Sequence, residues 1–243
     1  MTHALIPLKR LAKAKTRLAS LLRPSDRQAL ARAMVEDVLA VLSAHCDING
    51  ITIVSDDPDA LLLANRHGAR CWLERELGCT GLNALIAAAS DRLLLEEGQT
   101  VVVLHADLPL LSTQDISATL HCQQEKSCLV IGCDDAGLGT NLLAFDLSSR
   151  PDFCFGEDSC ARHHAWSTDN EIPVQRLHRP GIALDVDSPQ DIQHLINNIP
   201  LNTISETATF LRRGPGRRVK AALASLPPLT SPPDAGNSIR SYA

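Results

Sequence analysis

Three aspartates and a short basic loop supply the residue types in this sequence that could do chemistry together. Asp107 stands in "VVVLHADLPLL", just beyond the apolar run Val101 to Leu104, and Pro109 blocks further ladder pairing after it. Asp185 and Asp187 lie in "ALDVDSP", at the end of another short apolar segment. Carboxylates gathered at one sheet edge repel one another unless a cation sits between them, and a hard, oxygen-seeking ion such as Mg²⁺ meets that need. The same residues also suit turns and helix caps, since Asp-Ser-Pro before "QDIQHLI" makes a good helix start. Near the N-terminus Lys9, Lys13, Lys15 and Arg17 crowd into nine residues. Arginine offers phosphate a fork and lysine a point charge, although a charge run is also what a solvated loop looks like. Two glycine-bearing loops, "GCTGLNA" and "DDAGLGTN", would let backbone N–H groups approach an anion. Neither matches Gly-x-Gly-x-x-Gly or a Walker loop, which weakens dehydrogenase and P-loop readings.

The elements that must position these residues alternate along the chain. "HALIPL" reads as a first strand leading into the basic loop. Ser25 can cap a helix whose apolar positions Leu30, Met34, Val38, Val41 and Leu42 recur at helical spacing. "GITIVSDD" is a strand and acidic turn, Pro58 opens a second helix, and "ARCWLE" reads as another strand. "GLNALIAAASDRLLLEEG" is a long helix feeding the strand before Asp107. Ser112, with Asp115 three residues on, resembles a capping box for the next helix. "CLVIGC" and "TNLLAFDL" supply further strands, and helix, strand, strand end and helix follow through "FGEDSCARHHAW", "IPVQRL" and "ALDVDSPQDIQHLI". This is the pattern of a three-layer α/β fold with a mostly parallel twisted sheet, whose ligands bind at the carboxyl ends of strands.

Composition narrows the class. The 243 residues carry a net charge of -5, with 44% hydrophobic, 21% charged and 3% aromatic residues, so a full core is available but few stacking platforms for nucleic acid. The apolar runs fall short of the ~20 residues a membrane span needs. Eight cysteines without a Cys-x-x-Cys pair or a secretory signal point to a reduced, cytoplasmic protein. His163 and His164 near Cys154 and Cys160 lack the tighter paired spacing of a zinc site. From Leu201 onward six basic residues face two acidic ones, so that stretch carries +4 and the remainder -9. The paired prolines at 227–228 and 232–233 add to the expectation of a catalytic domain over 1–200 and a basic, partly disordered extension over 201–243.

Taken in order, "IPLKRLAKAKTRLA", "GLNAL", "HADLPLL", "GLGTN", "FGEDSCARH" and "PGIALDVDSPQDI" resemble the motifs of the 2-phospho-L-lactate guanylyltransferase family of coenzyme F420 biosynthesis, over nearly all of Met1 to Ile199. The resemblance implies a nucleotidyltransferase fold related to the nucleotide-diphospho-sugar transferases. It implies GTP and Mg²⁺, and transfer of GMP to 2-phospholactate, phosphoenolpyruvate or 3-phosphoglycerate with release of pyrophosphate. Its partners would be those small molecules, with neither nucleic acid nor membrane, and a homodimer as one arrangement. Carried over by motif, Asp107 would be a metal carboxylate completed by Asp187 and Asp185. Lys9, Lys15 and Arg17 would meet the GTP phosphates, Lys15 and Arg17 joining Asp107 in catalysis. Gly81 and Asn83 would line the guanosine pocket, and Thr140, Gly156 and Ser159 would hold the acid. His105 stands where many members have proline. The alternatives are another nucleotidyltransferase of this fold, which would carry a glycine-rich first loop, and a silent nucleotide-binding regulator, which would lack the carboxylates.

Overall fold

The computed structural model describes residues 1–224 except Glu97 and Leu201. Among these residues one seven-stranded sheet runs in the order β3-β2-β1-β4-β6-β5-β7. Its strands are β1 (Thr2–Pro7), β2 (Gly50–Val54), β3 (Arg70–Trp72), β4 (Thr100–Leu104), β5 (Leu129–Cys133), β6 (Thr140–Asp146) and β7 (Val174–Leu177). Only β6 runs antiparallel, pairing β4 on one side and β5 on the other. Chain order proceeds outward from β1 to β2 and β3, then returns to β4 on the other flank of β1. That reversal opens a crevice at the carboxyl ends of β1 and β4.

Alternation along the strands assigns each face its own core. Ala4, Ile6, Ile53, Val102 and Leu104 pack beneath α1 (Pro24–Ala44), α2 (Ala60–Arg66) and α4 (Thr113–Lys126). Leu5, Val101, Val103, Leu143 and Phe145 face α3 (Leu82–Leu95) and α5 (Ser159–Asp169). These side chains are essentially buried, and each of the Val, Leu, Ile and Phe side chains contributes roughly 1.5–3 kcal/mol. The Ser112–Asp115 capping box forms as expected, with Ser112 Oγ accepting from Asp115 N.

Local differences have local causes. Pro24, not a Ser25 cap, begins α1, because a proline at the first helical position needs no amide partner. The second helix starts at Ala60, after Asp57 Oδ1 has turned the chain by accepting Asp59 N at 2.8 Å. The "ALDVDSP" segment is no strand end. It follows the one-turn helix α6 (Pro180–Ala183) and runs outside the sheet, hooked by Val186 N to the carbonyl of Asp107 at 3.3 Å. Ser188 then caps α7 (Pro189–Asn198) in a capping box with Asp191.

Packing continues past Pro200. Helices α8 (Glu206–Arg212) and α9 (Gly214–Ala224) bury Phe210, Leu211, Val219 and Leu223 against Leu30, Met34, Ile192 and Leu195. Asp37 of α1 caps α8, accepting Glu206 N at 2.7 Å and Thr207 N at 2.9 Å. The solvated extension expected from 201 on therefore does not describe 206–224, where apolar residues interleave with the basic ones at helical spacing. The paired prolines lie outside the described residues. The all-reduced cysteine expectation also differs from the structure: Cys133 at the end of β5 and Cys160 in α5 are joined as a disulfide across 27 residues, while Cys46, Cys71, Cys79, Cys122, Cys128 and Cys154 are free. Only the tertiary approach of α5 to β5 brings that pair together.

Candidate active site

The chain leaves β4 at Leu104, and His105 N donates to the Asn141 carbonyl at 3.0 Å, which sets the turn carrying Asp107 to the crevice. The hook between Val186 N and the Asp107 carbonyl brings Asp187 alongside. Between β1 and α1 the basic loop winds through two 3-10 turns, and Lys15 joins them in the left-handed conformation, with φ 55°. The loop is tied from the β2 end, since Asp57 Oδ2 accepts Leu11 N at 2.7 Å.

This geometry buries Lys15 between the two carboxylates. Its side chain is 7% exposed, and Nζ donates to Asp107 Oδ2 at 2.5 Å and to Asp187 Oδ1 at 2.7 Å. Burial acts to lower the Lys15 pKa, but the charges and hydrogen bonds of Asp107 and Asp187 carry it above the ordinary lysine value. Burial would likewise raise Asp107, yet Lys15 holds its carboxyl below the usual range. Asp185 stands apart from the ammonium. Asn141 Nδ2 donates to Asp185 Oδ1 at 3.2 Å and to the Ile182 carbonyl at 3.0 Å, fixing the strap to β6. Burial, then the nearby Asp107 charge, pushes Asp185 up to about 6, against the Asn141 bond.

These groups fit a hard cation. Asp107 Oδ1 is buried without a hydrogen-bond partner, Asp187 is 47% exposed at the mouth, and an ammonium already sits where positive charge is favoured. The clasp forms one wall of a cavity of about 650 Å³ that also takes in Lys9, Arg10, Lys13, His105, Asp56, Glu74 and Leu82. Burial lowers the His105 pKa below its usual value despite the pull of Asp107.

A second group sits on the β6 side. Because β6 is antiparallel, its first residue, Thr140, shares the edge with Asp107. Thr140 Oγ1 lies 3.1 Å from His163 Nδ1, and His163 Nε2 accepts Cys154 N at 2.9 Å. That backbone donor requires an unprotonated Nε2, so the neutral ring carries its proton on Nδ1 and donates to Thr140. The threonine hydroxyl keeps its own proton free to donate elsewhere. Burial, helped by Arg162, lowers His163 to about 4. Asn83 clamps the same loop: Phe155 N donates to Asn83 Oδ1 at 2.8 Å, and Asn83 Nδ2 donates to the Phe155 carbonyl at 3.3 Å. Gly156, at φ 123°, turns the loop into α5, whose first residue is the buried Ser159. The Phe155 ring lies 5.6 Å from His105 and 5.0 Å from His163, joining the two groups.

The structure thus brings Lys9, Lys15, Asp107 and Asp187 into one cavity wall, with Asp185 behind them. Thr140, Gly156 and Ser159 cluster with Asn83, whose amide is spent on Phe155. Gly81 precedes α3 at φ 89°, beside the cavity residue Leu82. Arg17 is exposed and outside the cavity lining. Sequence reasoning missed Arg10, Asp56 and Glu74 in the lining and His163 and Asn141 as tethers. Asp56 carries the same signal as Asp107, an acid just past an apolar strand.

Residues 2–212 match the family described as "Guanylyl transferase CofC like". The phosphoenolpyruvate guanylyltransferase of Sphaerobacter thermophilus is 31% identical over 84% of this chain and 97% of its own length. That of Chloroflexus aggregans is 35% identical over 77% and 93%. In fold, the chain is similar to a Desulfovibrio desulfuricans protein described as a nucleotide-diphospho-sugar transferase, with TM-score 0.75 and 20% identity over 90% of this chain and 97% of the other. It is also similar to the glucosyl-3-phosphoglycerate synthase of Mycobacterium tuberculosis solved with Mn²⁺, uridine diphosphate and phosphoglyceric acid. There the TM-score is 0.57 at 14% identity, over 82% and 79%. The fold is that of the nucleotide-diphospho-sugar transferases.

Proposed function

Because the chain belongs to the family of CofC-like guanylyltransferases, we propose that it transfers GMP from GTP to phosphoenolpyruvate, as an Mg²⁺-dependent cytoplasmic enzyme of coenzyme F420 biosynthesis. Curated relatives at 31–35% identity named phosphoenolpyruvate guanylyltransferase support the choice of acid. Among the described residues no helix is long and apolar enough to cross a membrane.

An oxygen of the acid's phosphate bonds to the α-phosphorus of GTP as the bond to the β-phosphate oxygen breaks, and pyrophosphate leaves. The attacking phosphate is already ionised, so no general base is required. What the protein must supply is position and charge compensation. Lys9, Arg10, Lys13 and Lys15 offer the triphosphate four positive groups along one wall of the cavity. Asp107 and Asp187 would hold Mg²⁺, which when bound offsets charge on the reacting and leaving phosphates. Lys15 is then the group that changes partners, exchanging a carboxylate for phosphate oxygen. The Thr140 hydroxyl proton and the amides leading into α5 are donors for the acid's phosphate.

The Lys15 clasp on Asp107 and Asp187, at the sheet's switch point and in the lining of the cavity that also takes in Lys9, Arg10 and Lys13, carries this reading. The test is pyrophosphate release with GTP and Mg²⁺, offering phosphoenolpyruvate, 2-phospholactate and 3-phosphoglycerate separately, with ATP and CTP as controls. Release with GTP and phosphoenolpyruvate is expected. Preference for another acid would revise the substrate, and no release with GTP and any acid would remove the reading.

A further inference from the structure

The carboxyl edge of the sheet carries acidic as well as basic side chains. Around β1 and β4 the cavity is lined by Lys9, Arg10, Lys13 and Lys15 with the clasped Asp107 and Asp187. Toward β2 and β3 its lining changes to Asp56, two residues beyond β2, and Glu74, two residues beyond β3. Neither of these two carboxylates has an ion pair or a side-chain hydrogen bond among the described residues, and Asp56 Oδ1 is buried with no partner. Asp56 lines the cavity, and a buried carboxylate oxygen without a partner calls for N–H or O–H donors rather than for phosphate, which it would repel.

Resting on the reading of this cavity as the GTP site, we propose that Asp56 reads the guanine base. Guanine is the nucleobase that presents two adjacent donors, N1–H and the 2-amino group, in the parallel arrangement a carboxylate accepts. Adenine sets its N1 lone pair beside its amino group, and cytosine does the same with N3, so each would face the carboxylate with one donor and one repelling acceptor. The spacing agrees: β2 lies two strand positions from β4, about 10 Å at ~4.8 Å per strand, a distance a nucleoside spans between its base edge and its phosphates. The apolar cavity residues Leu8 and Leu82 complete a slot with one polar edge. Asn83, expected from sequence to line the guanosine pocket, is committed instead to Phe155.

Inosine triphosphate isolates the contact, because it keeps N1–H and lacks only the 2-amino group. Affinities of GTP and inosine triphosphate for the full chain, measured by calorimetry with Mg²⁺, are to be compared with kcat/KM for both nucleotides at saturating acid. The wild type is expected to favour GTP by about tenfold, the scale of one charged hydrogen bond. In Asp56→Asn, and in Asp56→Ala as a second variant, that ratio is expected to fall to about one, with the KM of the acid unchanged. A folded variant that keeps the wild-type ratio would overturn the assignment to Asp56 alone. Failure of the wild type to bind GTP at all would overturn the nucleotide-site reading and this inference with it.

Discussion

Lys15, Asp107 and Asp187 hold one another by charge, whereas Thr140, His163, Cys154, Asn83 and Phe155, farther along the same edge, hold one another by neutral hydrogen bonds. The two arrangements suit different tasks. An ammonium has three equivalent donors and no directional acceptor to satisfy, so it can pass from carboxylate to phosphate without loss of geometry. The imidazole relay is directional at every link: the Cys154 amide fixes the tautomer, the tautomer fixes the Thr140 bond, and Asn83 closes the loop on the backbone N–H and carbonyl of Phe155. One region is built to exchange partners and the other to keep them.

The sharpest way to break that contrast is Asp107→Asn. It keeps the shape of the side chain but removes a charge from the clasp and one carboxylate from the proposed cation site. Turnover is expected to fall by roughly 10²- to 10³-fold, the scale of losing one electrostatic stabiliser in an active site. Circular dichroism should show an intact fold. Near-normal kcat in a folded variant would mean that the charged region is structural.

His163→Phe probes the neutral region. The ring and its contact with Phe155 persist, but the Cys154 amide and the Thr140 hydroxyl lose their partner. Leaving a buried donor unpaired costs roughly 1–3 kcal/mol, so the KM of the acid is expected to rise about tenfold, with that of GTP little moved. His163→Gln, which can restore one of the two bonds, should recover part of the loss. A rise in the KM of GTP instead would show that the loop serves the nucleotide.

How far the sequence anticipates the two regions follows from the same contrast. Asp107 and the lysines are legible because an acid at a strand end and a basic run after the first strand are local patterns, and β1, β2 and β4 announce themselves as apolar runs. The neutral relay has no such signature. His163 and Thr140 are 23 residues apart, and Asn83 and Phe155 are 72, so only the closing of α3 and α5 over the sheet makes them neighbours. The six motifs of the resemblance locate Thr140 and Ser159 but not the histidine's bridging role. The α8–α9 packing was hidden differently: net charge over a long window masked Phe210, Leu211 and Val219, whose burial depends on a partner face on α1. Lys15 itself is read correctly as basic, while its burial depends on a left-handed turn that no local pattern demands.

The smallest expected effect separates the regions by the sign of their pH dependence. Asp185, on the charged side, has its folded pKa raised to about 6, above the unfolded value of 3.8. Its ionised form therefore costs stability above pH 6, and the cost is relieved as pH falls from 6 toward 4. His163, on the neutral side, has its folded pKa lowered to about 4 from 6.5. The unfolded chain takes up that proton first, so stability falls as pH drops from 6.5 toward 4. Within one window the two slopes oppose each other, and the wild-type curve is flattened. Asp185→Asn removes one of them. Asparagine can still accept from Asn141 Nδ2, and after discounting for partial exposure the variant should gain about 1 kcal/mol at pH 8, or ~3 °C in Tm. That gain should shrink to nothing by about pH 4, leaving the variant with the steeper acid-side decline that His163 imposes. Thermal melts from pH 4 to 8 in the presence of a chelator check this. An equal offset at every pH would place the effect in packing, outside the titration of either region.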